Sequence, residues 1–328
     1  MLYIIKNNYF LTDYILNKLN SDNGEIEIIP FARRSGGKHG KIRKIERYFD
    51  VLLDFKGDKS SYFDLLFLER LTKITAQDSV LFFGVENQKD LTLLSRIIPA
   101  KRKMLWAWNP MSTIIKSVIG TGEYGKMLKK HGIDVYTFDQ NDAVKYKFKH
   151  TYQVYANDTT AERKVKYDIF FVGNDKGRLE DIYRLYGIFN NQGLTSSLHV
   201  IKNRHKKYDS KYNPIITNES MPYPQSIETI KESRAVLDIL QANQTGQTLR
   251  PLEALFLNKK LITNNVEIIN EPFYHPSLIF ILGIDNIDQL SGFIHSPIIK
   301  PEAQIKERYE INNWIEQFKQ GGPYNKNA

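Results

Sequence analysis

Arg250 and Glu253 are the two residues in this 328-residue chain whose types and spacing best suit chemistry. A guanidinium grips phosphate oxygens in a planar fork, and a carboxylate one turn further on accepts from ribose hydroxyls, so the pair fits a nucleoside diphosphate. Just upstream, residues 241–247 form a polar turn with Gly246 as its only glycine. A helix starting near Thr248 would aim its first N–H groups, and the positive end of its dipole, at an anion held by that turn. Gly246, Gln247, Thr248 and Arg250 are therefore candidates to hold a diphosphate, with Gln244 and Leu249 in the same segment and Glu253 assigned to the ribose. The competing reading makes Arg250 and Glu253 an i, i+3 surface couple on an ordinary crossover helix.

The elements that must position these residues are legible around them. The apolar run 235–240 suits a buried parallel strand. Leu249, Leu252, Leu255 and Phe256 fall at helical spacing, with Thr248 as N-cap and Pro251 in the first turn, and 261–263 reads as the next strand. A strand, a Gly-bearing polar turn, Thr-Leu-Arg-Pro-Leu-Glu-Ala-Leu and a strand ending in Thr-Asn together resemble the donor-binding segment of GT-B-type glycosyltransferases, nearest the CgeB-like and lipopolysaccharide or capsule-synthesis branch. The resemblance implies an α/β fold of two Rossmann-like doubly wound domains facing a cleft. It also implies transfer of a sugar from a nucleotide-sugar donor to a hydroxyl of a glycan or lipid-linked glycan in bacterial surface polysaccharide synthesis.

In that family the first strand of the C-terminal domain ends in a Gly-bearing loop beside the donor. Phe170-Phe171-Val172-Gly173 matches this pattern, which brings in Gly173, Asn174 and Arg178, the last placed one turn into the next helix to meet a pyrophosphate. A plain turn is the other reading of Gly173. The family's last helix often crosses back to the first domain, and 308–319, with Tyr309, Ile311, Trp314, Ile315 and Phe318 as an apolar stripe, is expected to do so here.

Composition narrows the rest. The chain is 41% hydrophobic and 25% charged, with 46 basic and 37 acidic residues giving +9, which are globular values with a moderate cationic excess. Cysteine is absent, so disulfides, thiolate metal sites and cysteine nucleophiles are excluded. No run of about 18 apolar residues appears and the start lacks a signal-peptide core, so a soluble cytoplasmic chain is expected. The positive charge leaves room for peripheral contact with an anionic inner-membrane face, through the basic loop at 33–41 and the cluster Arg204 to Lys207. Interleaved aromatics and a repeated module for nucleic acid are missing, so nucleic acid is not expected as a partner. No Asp-x-Asp triplet stands in a credible loop, so neither a metal nor another cofactor is expected.

The first half alternates β and α from its start, and 157–166 is the polar crossing, which sets the expected domains at 1–158 and 159–307 with a crossing helix and tail at 308–328. Helices are expected over 41–54 and 62–75 and a short last strand over 153–155. Arg33, Arg34 and Lys38, in a glycine-bearing loop after a strand end, are acceptor-side candidates, a solvated surface loop being the alternative. Trp108 and Asn109 close the strand 103–108, where the Trp face suits a sugar ring and core packing is the ordinary use. Transfer also needs a general base; Glu86, His39 and Asp139 are candidates on strand-end position alone. The tract from Phe138 to Asp142 also resembles the N-terminal half of the CgeB-like enzymes, and Asp142 alternatively caps its helix. Two other classes remain open, a GT-B-shaped nucleotide-sugar epimerase and a non-enzymatic basic binding module.

Overall fold

The computed structural model describes residues 1–21, 24–34, 62–116, 121–157, 163–240 and 248–319. The expected helix over 41–54, together with Lys38, His39, Gln244, Gly246 and Gln247, lies outside the described residues. The chain is an α/β protein that divides into two compact units, one made of Met1–Tyr152 and Ile315–Ala328 and the other of Gln153–Trp314.

The first unit is built on a parallel sheet of six strands: β1 (Leu2–Lys6), β2 (Ile26–Pro30), β3 (Ser79–Phe83), β4 (Arg102–Ala107), β5 (Ile133–Thr137) and β6 (Lys149–His150), in the order β2-β1-β3-β4-β5-β6. β1 and β3 are buried at every position, as strands covered on both faces must be, which is why they read as continuous apolar runs. They pair in register through Ile4↔Leu81 and Ile5↔Phe82. The helices are α1 (Phe10–Leu16), α2 (Leu65–Leu71), α3 (Gln88–Ile97), α4 (Met111–Lys116), α5 (Thr121–Lys130) and α6 (Gln140–Tyr146). Asp64 and Asn87 cap α2 and α3 with side-chain oxygens.

Asp139, not Asp142, caps α6: its Oδ1 accepts the N–H of Asp142 at 3.0 Å, while the Asp142 carboxylate accepts from the Met111 N–H at 2.6 Å. Asp139→Ala is expected to lower unfolding stability by about 1 kcal/mol, read as a fall in the urea midpoint at unchanged slope; an unmoved midpoint would contradict the cap.

The second unit carries β7 (Tyr167–Asn174), β8 (Ser196–Ile201), β9 (Ile216–Thr217), β10 (Ser233–Asp238), β11 (Lys260–Thr263) and β12 (Ile279–Ile281). Its sheet runs β12-β11-β10-β7-β8-β9, and every pairing is parallel. Counted within the unit this is the doubly wound order 3-2-1-4-5-6, and the direction of winding reverses between β7 and β10. The helices are α7 (Leu179–Asn191), α8 (Tyr223–Lys231), α9 (Arg250–Phe256), α10 (Leu290–His295), α11 (Ala303–Glu307) and α12 (Ile311–Trp314).

The C-terminal stretch departs from the single helix expected over 308–319. α11 and α12 are separate, and a 3-10 turn, Ile315–Phe318, follows. The cause is a tertiary bridge: the Tyr309 carbonyl accepts from the Tyr155 N–H at 2.7 Å and the Ile311 N–H donates to the Tyr155 carbonyl at 2.9 Å, so neither group serves a helix ladder. The same bridge takes the place of the strand expected over 153–155. Within the first unit, the returning turn is fixed by the Arg102 guanidinium donating to the Phe318 carbonyl, by Phe318 packing on Tyr136 with ring centroids 4.8 Å apart, and by Lys319 pairing with Glu25 at 3.0 Å.

Candidate functional site

In an open parallel sheet, ligands bind beyond the carboxyl ends of the strands where the winding reverses. In the second unit that point lies between β7 and β10, and two arginines converge on it. Arg178 stands at the N-cap of α7, at the helix start rather than one turn in. Its guanidinium folds back over the end of β7, with Nη1 donating to the Ile239 carbonyl at 2.6 Å and Nε to the Asn174 carbonyl at 3.1 Å. Its carbon lies 5.0 Å from the Phe171 ring centre. Gly173 is required by this fold-back, because a Cβ there would sit 2.5 Å from Arg178 Nη2. Burial pushes the Arg178 pKa down, Asp238 opposes the shift and Arg250 adds to it.

Arg250 enters from the other side. Its Nη2 donates to the Val172 carbonyl, and its Nη1 pairs with Glu253 Oε2 at 3.0 Å. The pair is therefore real but not a surface couple: the side chains are 19% and 4% exposed. Glu253, assigned to a ribose by its spacing, is buried and committed to Arg250, so in this structure it orients the guanidinium instead of presenting a free carboxylate. α9 starts with Leu249 as N-cap and no side-chain cap, with Pro251 at its second position. Thr248 is thus not the N-cap; its hydroxyl accepts the Arg250 N–H at 3.2 Å and donates to Asp238 Oδ1 at 2.9 Å.

Asp238, the last residue of β10, lies inside the apolar run 235–240 and carries no expectation from the sequence. It is 2% exposed, accepts from Thr248 and from the Thr263 hydroxyl at 3.3 Å, and is pushed up by burial against the pull of Arg250 and Arg178. The cationic loop after β8 is also less free than its composition suggests. Lys206 Nζ and Tyr208 Oη both reach Asp175 Oδ2, at 2.8 and 2.9 Å; burial would raise the Asp175 pKa, but these partners hold it below its ordinary value.

In the first unit the winding reverses between β1 and β3. Gly84, at the end of β3, has φ +67°, and a Cβ there would lie 2.4 Å from Asn7 Nδ2, which itself donates to the Gly84 carbonyl at 3.0 Å. Two residues on, Glu86 is held from both sides by Asn109, whose backbone N–H reaches Oε1 at 2.9 Å and whose Nδ2 reaches Oε2 at 2.8 Å. Tyr124 Oη donates to the Glu86 carbonyl at 2.9 Å. Burial pushes the Glu86 pKa up to about 7, with the Asn109 hydrogen bonds working against it. Trp106 is fully buried in the core, whereas Trp108 is half-buried, 5.7 Å from the Phe83 ring and 6.2 Å from the Tyr9 ring. Tyr9 and Phe10, 40% and 52% exposed with ring centroids 4.5 Å apart, extend this aromatic surface.

Other candidates fall away. Asp139 is 5% exposed and occupied as a helix cap, so it is not available as a base. Arg33 is tied to the buried Asp90, with Nε on Oδ1 at 3.0 Å and Nη2 on Oδ2, while Tyr62 Oη adds a third bond at 2.9 Å; the guanidinium is therefore spent on structure. Arg34 is exposed beside it. Among the described residues no group of three or more His, Asp or Glu could hold a metal ion, and no helix is long and apolar enough to cross a membrane.

No family model and no curated protein matches the chain. Solved structures do. A DNA-modifying β-glucosyltransferase, solved with and without uridine diphosphoglucose, is 14% identical with a TM-score of 0.47, covering 96% of this chain and 94% of its own. A glycosyltransferase involved in avilamycin A biosynthesis is 11% identical at TM-score 0.46, covering 96% and 98%, and the glycotransferase of kitacinnamycin is 11% identical at 0.42, covering 95% and 94%. At identities this low and TM-scores below 0.5, a shared activity does not follow from a shared outline.

Proposed function

We propose that this protein is a GT-B-type glycosyltransferase that moves a sugar from a nucleotide-sugar donor to an acceptor hydroxyl. The observation that carries the reading is the convergence of Arg178 and Arg250 on the carboxyl ends of β7 and β10, where the winding of the sheet reverses. Breaking the glycosidic bond to the diphosphate leaves negative charge on its oxygens, and two fixed guanidiniums in a partly dehydrated site meet that charge without reorganising. Glu86 is the base in this reading. Its carboxylate takes the proton of the attacking hydroxyl as the new C–O bond forms, and a pKa near 7 matches that task at neutral pH. No residue is assigned to a metal.

The acceptor in this reading is a glycan or lipid-linked glycan of bacterial surface polysaccharide, such as lipopolysaccharide or capsule. The exposed Tyr9–Phe10 pair and the half-buried Trp108 supply aromatic faces suited to sugar rings. The net charge of +9 supports peripheral contact with an anionic membrane face on the cytoplasmic side. The test is a thermal-shift screen of the full chain against nucleoside diphosphates and their sugars, wild type beside Arg178→Ala. A ligand at about 100 times its dissociation constant adds roughly 2.7 kcal/mol, a shift expected in the wild type and lost in the variant. No shift with any nucleotide would overturn the reading.

A further inference from the structure

Resting on that donor site, we propose that Asp238 is its positioning residue and takes up a proton from solvent when the donor diphosphate binds. The geometry has two parts. First, its two oxygens tie separate elements together: Oδ1 accepts from Thr248 in the turn before α9, and Oδ2 from Thr263 at the end of β11. The Thr248 hydroxyl in turn accepts the Arg250 N–H, so the chain Asp238–Thr248–Arg250 sets where the helix begins and where its guanidinium lies. Second, both partners are hydroxyls. A hydroxyl rotates to donate to a carboxylate or to accept from a carboxylic acid, so Asp238 keeps its partners in either protonation state.

The charges facing Asp238 decide which state it holds. Arg178 approaches from the start of α7 and Arg250 from the start of α9, with Glu253 paired to Arg250 behind it and Asp175 acting on Arg178 from the loop ahead of α7. His199 shares this face of the sheet by register, opposite Val172 on the far side of β7, with its ring bonded to Ser197 at 3.0 Å. Without ligand, burial raises the Asp238 pKa above its ordinary value, and the two guanidiniums hold that rise down. A diphosphate brings two negative charges to those same guanidiniums, cancels their field at Asp238 and so raises its affinity for a proton. By linkage the affinity for donor then falls as pH rises, by up to about tenfold per pH unit where uptake is complete.

The experiment is isothermal titration of the full chain with a panel of nucleotide-diphosphate sugars, whose pyrophosphate has no group titrating near neutrality. It is run between pH 6.5 and 8 in buffers of different ionisation enthalpy. Wild type should bind with buffer-dependent heat corresponding to proton uptake, and His199→Gln should do the same. Asp238→Asn should bind without uptake and with affinity independent of pH. Asp238→Ala, which also drops the threonine contacts, should bind about tenfold more weakly than Asp238→Asn; equal affinities would remove the positioning role. Binding by the wild type with no buffer dependence, or uptake that persists in Asp238→Asn, would overturn the proton linkage while leaving the donor site intact. No binding of any donor would instead overturn both.

Discussion

Replacing Arg250 with alanine is expected to cost the second unit about 3–5 kcal/mol and to abolish donor binding. The stability loss comes from Glu253, whose side chain is 4% exposed and would be left as a buried charge without the Arg250 guanidinium. It also comes from the Val172 carbonyl at the end of β7, which loses the guanidinium that joins it to α9. Replacing both partners together, as Arg250→Met with Glu253→Leu, should cost clearly less than Arg250→Ala, because no unpaired charge is then buried. Urea denaturation reads both, and an Arg250→Ala variant within about 1 kcal/mol of wild type would show that the pair is hydrated and not buried as described.

Glu86→Gln should have opposite effects on stability and on turnover. A carboxyl whose folded pKa is raised from 4.5 to about 7 binds its proton more tightly folded than unfolded. Stability is therefore greatest below about pH 4.5, declines as pH rises, and has lost the whole contribution above pH 7, by up to about 3 kcal/mol over the interval. Glutamine removes that decline, since a flipped Asn109 amide still pairs with it, so the variant should match wild type near pH 5 and exceed it at pH 8. Glycosyl transfer should fall by about 10²–10⁴-fold with donor binding unchanged, because the base is lost and Arg178 and Arg250 are untouched. Parallel pH profiles of stability for the two proteins would show that Glu86 is not held protonated by the fold, and undiminished turnover would remove it as the base.

These two residues also mark what the sequence could and could not tell. Strand ends were legible because a continuous apolar run stops abruptly at a polar residue or glycine, which placed Glu86 and Gly173 near ligand-facing ends, while Arg250 was legible from its spacing to Glu253 at a helix start. What those side chains touch was not legible. Glu253 and Asn109 have the right chemistry for substrate, yet both are spent on holding another group, and that depends on strands far apart in sequence. Asp238 was not legible because a single acidic residue inside the apolar run 235–240 does not break the pattern of a buried strand. The terminal helix failed for a similar reason: its apolar stripe was sound, but the backbone of Tyr309 and Ile311 is claimed by Tyr155. Helix α8 carried a usable signal in Pro222 and Pro224 ahead of Ile227 and Ile230, since proline is favoured at a helix start.

The return of the chain at Ile315–Phe318 governs the order of assembly during synthesis. Domains generally fold as they emerge from the ribosome, N-terminal first. Here the middle segment, Gln153–Trp314, is contiguous and can close on itself as soon as it has emerged. The earlier-made sheet must wait for Phe318 to be translated before Arg102 and Tyr136 find their last partner. The piece that begins first is thus completed last, and a chain cut short before Ile315 would carry the whole of Gln153–Trp314 together with a first unit that lacks its closing turn.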